Sequence, residues 1–207
     1  MTETPFFQSA ATWDARYSEP GYAFGTAPNA YLAEQASRMQ AGKSALAVAD
    51  GEGRNSVWLA RQGLNVDAFD ISPVGVDKAR SLAGQAAVDV RYHVASCDSW
   101  RWQAEAYDYV VAIFVQFADP AMRARLFANM AAALRPGGLL ILQGYTPRQL
   151  EYRTGGPGVL EHLYTEDLLK TAFAGLRMLD LRSYDAELNE GSRHSGKSAL
   201  IGMVARK

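Results

Sequence analysis

The chain has 207 residues, 48% of them hydrophobic and 21% charged, with a formal net charge of −1. This is ordinary composition for one globular domain, long enough to bury a core without disulfides. It lacks the basic surplus of a nucleic-acid binder, its single cysteine, Cys97, forms no metal-spaced cluster, and no apolar run approaches the ~20 residues of a membrane span.

In chain order, the first residues, Met1 to Ser9, show no basic stretch followed by an apolar run, so no signal peptide is expected and the protein reads as soluble and cytoplasmic. The chain reads as a single domain in which residues 1–41 are an N-terminal lid and helix segment and residues 42–207 a core. Phe6, Phe7, Trp13, Tyr17, Tyr22, Phe24 and Tyr31 make the first part aromatic-rich. An irregular stretch leads into a helix predicted over 28–41, stopped by Gly42. From residue 44 strand-like and helix-like stretches alternate, the pattern of a parallel sheet with helices on both faces. Strands are predicted at 45–49, 65–69, 88–94, 107–114 and 139–143. Several are apolar at consecutive positions, as strands buried on both faces are. A helix over 56–62 ends at Gly63, and Ser72-Pro73 opens another that Gly84 closes. Asp119-Pro120 is an N-cap with proline at the first helical position. Met122, Leu126, Met130 and Leu134 then form one buried stripe, ended by Pro136-Gly137-Gly138. Thr165 opens a further helix, with Glu166 and Asp167 favourable to its N-terminal dipole. The tail reads as an antiparallel hairpin, 176–188 and 197–207, around a polar turn at 189–196.

The densest signal is Ala49-Asp50-Gly51-Glu52-Gly53-Arg54-Asn55. It follows the first strand and precedes a helix. Gly51 and Gly53 allow a tight turn and close approach of a ligand, and the helix start offers free N–H groups. Asp70 ends the second strand, 19 residues beyond Gly51 and just before Ile71. An acid so placed accepts hydrogen bonds from ribose hydroxyls. A dinucleotide fingerprint would need a third glycine where Ser56 stands, and the P-loop pattern is absent. An adenosine ligand without a pyrophosphate fits better. The competing reading is a tight turn with no ligand.

The stretch from Ala45 to Ala79 resembles motifs I and II of class I S-adenosylmethionine (SAM)-dependent methyltransferases. It departs at Ala47, where the family carries a strand-one acid, and at Ala49, where it carries the first glycine. A common anchor of the methionine amino group is thereby missing, leaving Asp50 or a main-chain carbonyl to replace it. Ser96-Cys97-Asp98-Ser99-Trp100 is similar to the adenine-contacting segment, with Asp98 and Ser99 as implied contacts. Tyr107 to Val111 is similar to the start of strand four, and Leu134 to Leu139 to the entry of strand five. Phe114 to Phe117 lies where the methionine end passes. Trp13 to Leu32, Gln143 to Pro147, Thr154 to Pro157 and Glu190-Gly191 with His194 are similar to a bacterial branch near the tellurite-resistance and thiopurine methyltransferases. The resemblance implies a doubly wound Rossmann-like seven-stranded sheet of order 3-2-1-4-5-7-6, with strand seven antiparallel and the last turn on the ligand side.

The cofactor set is thus Ala49, Asp50, Gly51, Gly53, Asn55, Asp70, Ile71, Asp98, Ser99 and Phe114. His194 is a candidate for taking a proton from the acceptor, or else a solvent-facing loop histidine. Tyr145 either orients the acceptor or packs on Gly155-Gly156. Tyr22 and Arg193 are candidate substrate contacts, and Tyr22 and Tyr17 either line a lid, their faces suited to a sulfonium, or pin the segment to the core. Trp100 either packs or stacks on adenine. Cys97 reads as a buried filler. The expected activity is methyl transfer from SAM to a small-molecule acceptor, a thiol or a selenium or tellurium oxyanion, with no metal. A SAM-binding protein without turnover and an NAD-dependent oxidoreductase are the alternatives.

Overall fold

The computed structural model describes residues 9–191 and 194–207. Seven stretches, several of them apolar runs flanked by turn residues, become the strands of one sheet. They are β1 (Ser44–Val48), β2 (Asn65–Asp70), β3 (Val90–Val94), β4 (Tyr107–Ile113), β5 (Leu134–Tyr145), β6 (Arg177–Glu190) and β7 (His194–Arg206). Their order is β3-β2-β1-β4-β5-β7-β6. β7 runs antiparallel to both β5 and β6, and the other pairs are parallel.

The helices start where capping chemistry allows. α1 (Ala10–Tyr17) begins at Ser9, whose side chain accepts the Thr12 N–H, and α2 (Ala30–Glu34) at Asn29, which accepts that of Leu32. α3 (Arg54–Arg61) starts from Gly53 in the left-handed region at φ 92°. Ser72 and Asp119 cap α4 (Pro73–Gln85) and α5 (Pro120–Ala133), each with proline at the helix start. α6 (Gln149–Tyr152) is a single turn, and Thr165 caps α7 (Glu166–Ala172).

The pleat splits the core into two layers. Leu46, Val48, Val110, Ala112, Leu140 and Leu142 face Leu126, Phe127 and Met130 of α5 and Leu169 of α7. Ala45, Ala47, Tyr109, Val111, Leu139 and Ile141 face Tyr31 and Leu32 of α2 and Leu59 of α3.

Four sequence expectations change. The helix expected over 28–41 is only α2, followed by a 3-10 turn at Ala36–Arg38. Met39 is extended there, and Gln40 donates its N–H to the Tyr109 hydroxyl. The irregular stretch before it contains α1. β5 begins at Leu134 rather than 139, pairing with Tyr107 before a shift of register that absorbs Pro136-Gly137-Gly138. The hairpin strands run further than expected. Glu190 pairs with His194, so His194 begins β7 instead of lying in a loop.

Neighbouring β1 and β4 feed connections that diverge to opposite sides of the sheet, leaving a crevice at their carboxyl ends. Ala49, just after β1, has φ 49°, and Phe114, just after β4, has φ 58°. Non-glycine residues seldom adopt this region, and such strain concentrates at functional sites.

Candidate active site

The crevice opens into a cavity of about 440 Å³, in the range of small-molecule sites. The loop Ala49 to Asn55 forms one wall. The Asp50 N–H donates to Phe69 O and Gly53 N–H to Asp50 O, which pins the loop to β2. Asp70 accepts the Gly51 N–H at 2.9 Å and the Ser72 N–H at 2.9 Å, one on each carboxylate oxygen. Each oxygen keeps a lone pair for another donor. Burial pushes the Asp70 carboxyl up to about 6, against the opposing pull of those N–H groups. Gly51 is held under Tyr17, since a Cβ there would lie 2.7 Å from the tyrosine hydroxyl oxygen.

Aromatic rings line the cavity in a nearly closed series. Phe117 meets Trp13 at 6.4 Å between centroids, Trp13 stacks on Tyr17 at 5.6 Å, and Tyr17 meets Phe24 at 6.4 Å. Phe24 lies 4.5 Å from the His194 ring, which meets Phe114 at 4.4 Å, and Phe114 stacks on Tyr145 at 4.7 Å. Such faces attract a positively charged ligand atom.

Four buried polar atoms on this cavity's lining have no hydrogen-bond partner: Asp50 Oδ2, Arg54 Nη1, Tyr145 Oη and His194 Nδ1. Buried polar groups are ordinarily satisfied, so four in one cavity mark the groups a ligand would meet. Burial lowers the pKa of His194, Arg54 adds to that, and Glu190 opposes it, so the imidazole is neutral at pH 7. Its Nδ1 stands 3.9 Å from Glu190 Oε2, beyond hydrogen-bond length. Burial raises the Tyr145 pKa, so its hydroxyl keeps its proton and donates.

Behind the cavity Glu190 acts as a hub. It pairs with Arg54 at 2.7 Å, both side chains being almost fully buried. It also accepts the Asn29 amide at 3.0 Å and the Ala30 N–H at 3.2 Å. Asn29 in turn donates to Gln143, and Gln143 to the Tyr184 hydroxyl. Burial alone would raise the Glu190 carboxyl, but neighbouring His194, Arg54 and the Ala30 N–H hold it at about 2.

Of the sequence candidates, Ala49, Asp50, Gly51, Asn55, Asp70, Ile71, Asp98, Phe114, Tyr145 and His194 all line the cavity. Gly53 sits behind it, where an added Cβ would lie 2.7 Å from that of Ala79. Asn55 also spends its side-chain oxygen on the Asn29 N–H, and the Asp98 carboxylate is paired with Arg125. Ser99 lies off the lining, exposed, with its hydroxyl accepting the Ser96 N–H. Tyr22 is likewise displaced: its hydroxyl reaches Lys78 O at 3.5 Å and its ring packs outside the cavity. Arg193 lies outside the described residues. Tyr17, by contrast, is buried and lines the cavity. Trp100 packs, stacked on Phe69 at 4.7 Å. Burial pushes the Cys97 thiol up to about 12, which makes it a poor nucleophile. His162 is buried, its Nδ1 at 2.9 Å from Gln116 O. Arg54 and Asn29 are not among the site residues expected from the sequence, although Arg54 stands inside the glycine loop. Among the described residues no group of three His, Cys, Asp or Glu is placed to hold a metal ion. None of their helices is long and apolar enough to cross a membrane.

Residues 45–138 match the family model of a methyltransferase domain. The matched span runs from β1 into β5 and carries the glycine loop, Asp70 and Phe114. The ubiquinone biosynthesis O-methyltransferase of Methylobacterium sp. (strain 4-46) is 32% identical over 151 residues. That alignment takes in 65% of this chain and 58% of the relative, so the chain spans little more than half of the relative's length. A structure solved in work on the conversion of a disulfide bond into a thioacetal group during echinomycin biosynthesis superposes with a TM-score of 0.77 at 18% identity, covering 96% of this chain and 92% of its own. The N-methyltransferase NodS of Bradyrhizobium japonicum WM9, solved with S-adenosyl-L-homocysteine (SAH), has a TM-score of 0.72 at 12% identity, covering 97% and 98%. The fold is the methyltransferase fold, and the methyltransferase matches together support SAM as cofactor.

Proposed function

We propose that this chain transfers the methyl group of SAM to a small-molecule acceptor. The observation that carries the reading is the convergence of four unpartnered polar atoms on one aromatic-walled cavity at the crevice between β1 and β4. The cofactor supplies a methyl group on a sulfonium sulfur. The residues present fit it: Asp70 has free lone pairs for ribose hydroxyls, and the rings of Trp13, Tyr17 and Phe114 exclude water and face positive charge.

The acceptor end is the cluster Arg54 Nη1, Tyr145 Oη and the neutral His194 imidazole. Two donors and one proton acceptor suit an acceptor that carries or develops negative charge. Arg54 and Tyr145 orient it, and His194 takes its proton where it has one. Most of the acceleration comes from holding the two reactants in line. A thiol, or a selenium or tellurium oxyanion, needs little help from a base. Placement near the tellurite-resistance and thiopurine branch belongs to this reading, and so does a cytoplasmic, single-domain enzyme free of nucleic-acid partners. The neighbour from disulfide-to-thioacetal chemistry puts thiols first in a screen. The O-methyltransferase relative and the neutral His194 imidazole favour an oxygen acceptor as the second reading.

The test is SAH formation by purified protein given SAM with thiols, selenite, tellurite and phenols in turn. Turnover with one class, lost in Arg54→Lys and Tyr145→Phe, supports the assignment. SAM binding without SAH formation from any acceptor would mean a binding protein without turnover.

A further inference from the structure

The cavity is lined by four side-chain carboxylates: Asp50, Glu52, Asp70 and Asp98. Three already carry a donor on each oxygen. Asp70 takes the Gly51 and Ser72 N–H groups. Glu52 takes Lys78 at 2.7 Å and the Ala23 N–H at 2.7 Å. Asp98 takes the Arg125 guanidinium on both oxygens. Asp50 differs. Its Oδ1 accepts the Ser56 N–H at 3.2 Å, while its Oδ2 is buried and bonded to nothing. The backbone on either side is fixed, by Asp50 N–H to Phe69 O and Gly53 N–H to Asp50 O. The free oxygen is therefore held in place, and an isolated carboxylate in such surroundings is unfavourable until a cation reaches it.

Resting on the reading of SAM as cofactor, we propose that Asp50 Oδ2 receives the α-ammonium group of the methionine end of SAM. It is the cavity's remaining acceptor with negative charge and no partner among the described residues. A charge-assisted N–H···O bond there would both satisfy the orphan and orient the tail.

The site carries a proton signature. Burial pushes the Asp50 carboxyl up to about 7; the Ser56 hydrogen bonds oppose this, Asp70 adds to it and Arg54 opposes it. Tyr17 from α1 and Tyr92 from β3 face the same carboxylate. In the free protein Asp50 is partly protonated near neutrality. A cation beside it favours the carboxylate, so ligand binding releases a proton and tightens as pH rises from about 6 to about 8.

The experiment is calorimetric titration with SAH and with its desamino analogue, which lacks only the α-amino group, on wild type and Asp50→Asn. Wild type is expected to bind SAH at least about tenfold more tightly than the analogue. It should release protons with SAH alone, as read from two buffers of different ionisation enthalpy. Asp50→Asn should bind both ligands within about twofold of each other. Equal wild-type affinities without proton release would overturn the assignment, as would an undiminished preference for SAH in the variant. Should Asp50→Asn fail to fold, the two wild-type readouts decide alone. Wild type that binds neither ligand overturns the cofactor reading itself, whereas equal binding of both overturns only the role of Asp50.

Discussion

At His194 opposing influences act on one imidazole. Packing between Phe24 and Phe114 and the charge of Arg54 favour the neutral ring, and Glu190 favours the charged one, with burial the largest. The net lowering sets a direction. With an oxygen acceptor, activity should hold from pH 8 downward and fall only below the ordinary histidine value of about 6.5, as the ring takes a proton. His194→Gln should remove that limb of the pH–rate profile and lower kcat by about 10²–10⁴. With a thiolate or oxyanion acceptor the loss should be smaller, which separates the two chemistries. Glu190 makes the complementary prediction for stability. Its folded pKa, about 2, lies below its unfolded value near 4.5. Its contribution is therefore present above pH 4.5 and lost as pH falls towards 2. Glu190→Gln should flatten that acid limb in denaturant titrations. It should also cost about 3–5 kcal/mol, because Arg54 is left buried without its counter-charge. The sequence placed His194 and Tyr145 near the acceptor but could not show the hub that fixes them. Arg54, Asn29 and Glu190 lie 136 and 161 residues apart in pairs, and no local pattern joins them. Tyr22 and Tyr17 look alike in sequence, and only packing sends one to Lys78 and the other to Gly51.

At the scale of elements, the glycine loop is held by backbone geometry as much as by side chains. Gly53 combines φ 92° with the approach of Ala79. Gly53→Ala should part α3 from α4, cost more than about 1 kcal/mol, and weaken SAH binding along with thermal stability. Leu126→Ala is the contrasting case. It opens a cavity in the layer under α5, far from the glycine loop in sequence. It should cost about 2–5 kcal/mol in urea unfolding and leave SAH affinity unchanged. Elements of this kind were legible because their signals are local: Asp119-Pro120 before a four-residue stripe, Ser72-Pro73, and strands with consecutive apolar residues. α1 was not legible because only Tyr17 of its eight residues is buried, so no apolar stripe announces it. The helix over 28–41 was overread for the converse reason, since good helix formers there yield to tertiary contacts such as Gln40 with Tyr109. The left-handed backbone at Ala49 is a position where the sequence departs from the resemblance while the geometry keeps what a glycine would supply.

Over the whole molecule, the strand order expected from the resemblance is the one observed. Its consequence for the site is specific. β7 inserts between β5 and β6, so the hairpin end carrying Glu190 and His194 returns to the crevice opened by β1 and β4. Chain segments from Trp13 to His194 thus enclose one cavity, and a ligand there ties the N-terminal helix to the last hairpin. SAH at a hundred times its Kd should then raise stability by about 2.7 kcal/mol, seen as a rise in Tm. The most direct test is calorimetric titration of SAM into wild type and Asp70→Asn, with NAD as a control. Binding at one site per chain by wild type, at least about tenfold weaker in the variant and absent with NAD, is the predicted result. Absence of SAM binding by folded wild type, or binding of NAD in its place, would contradict the account.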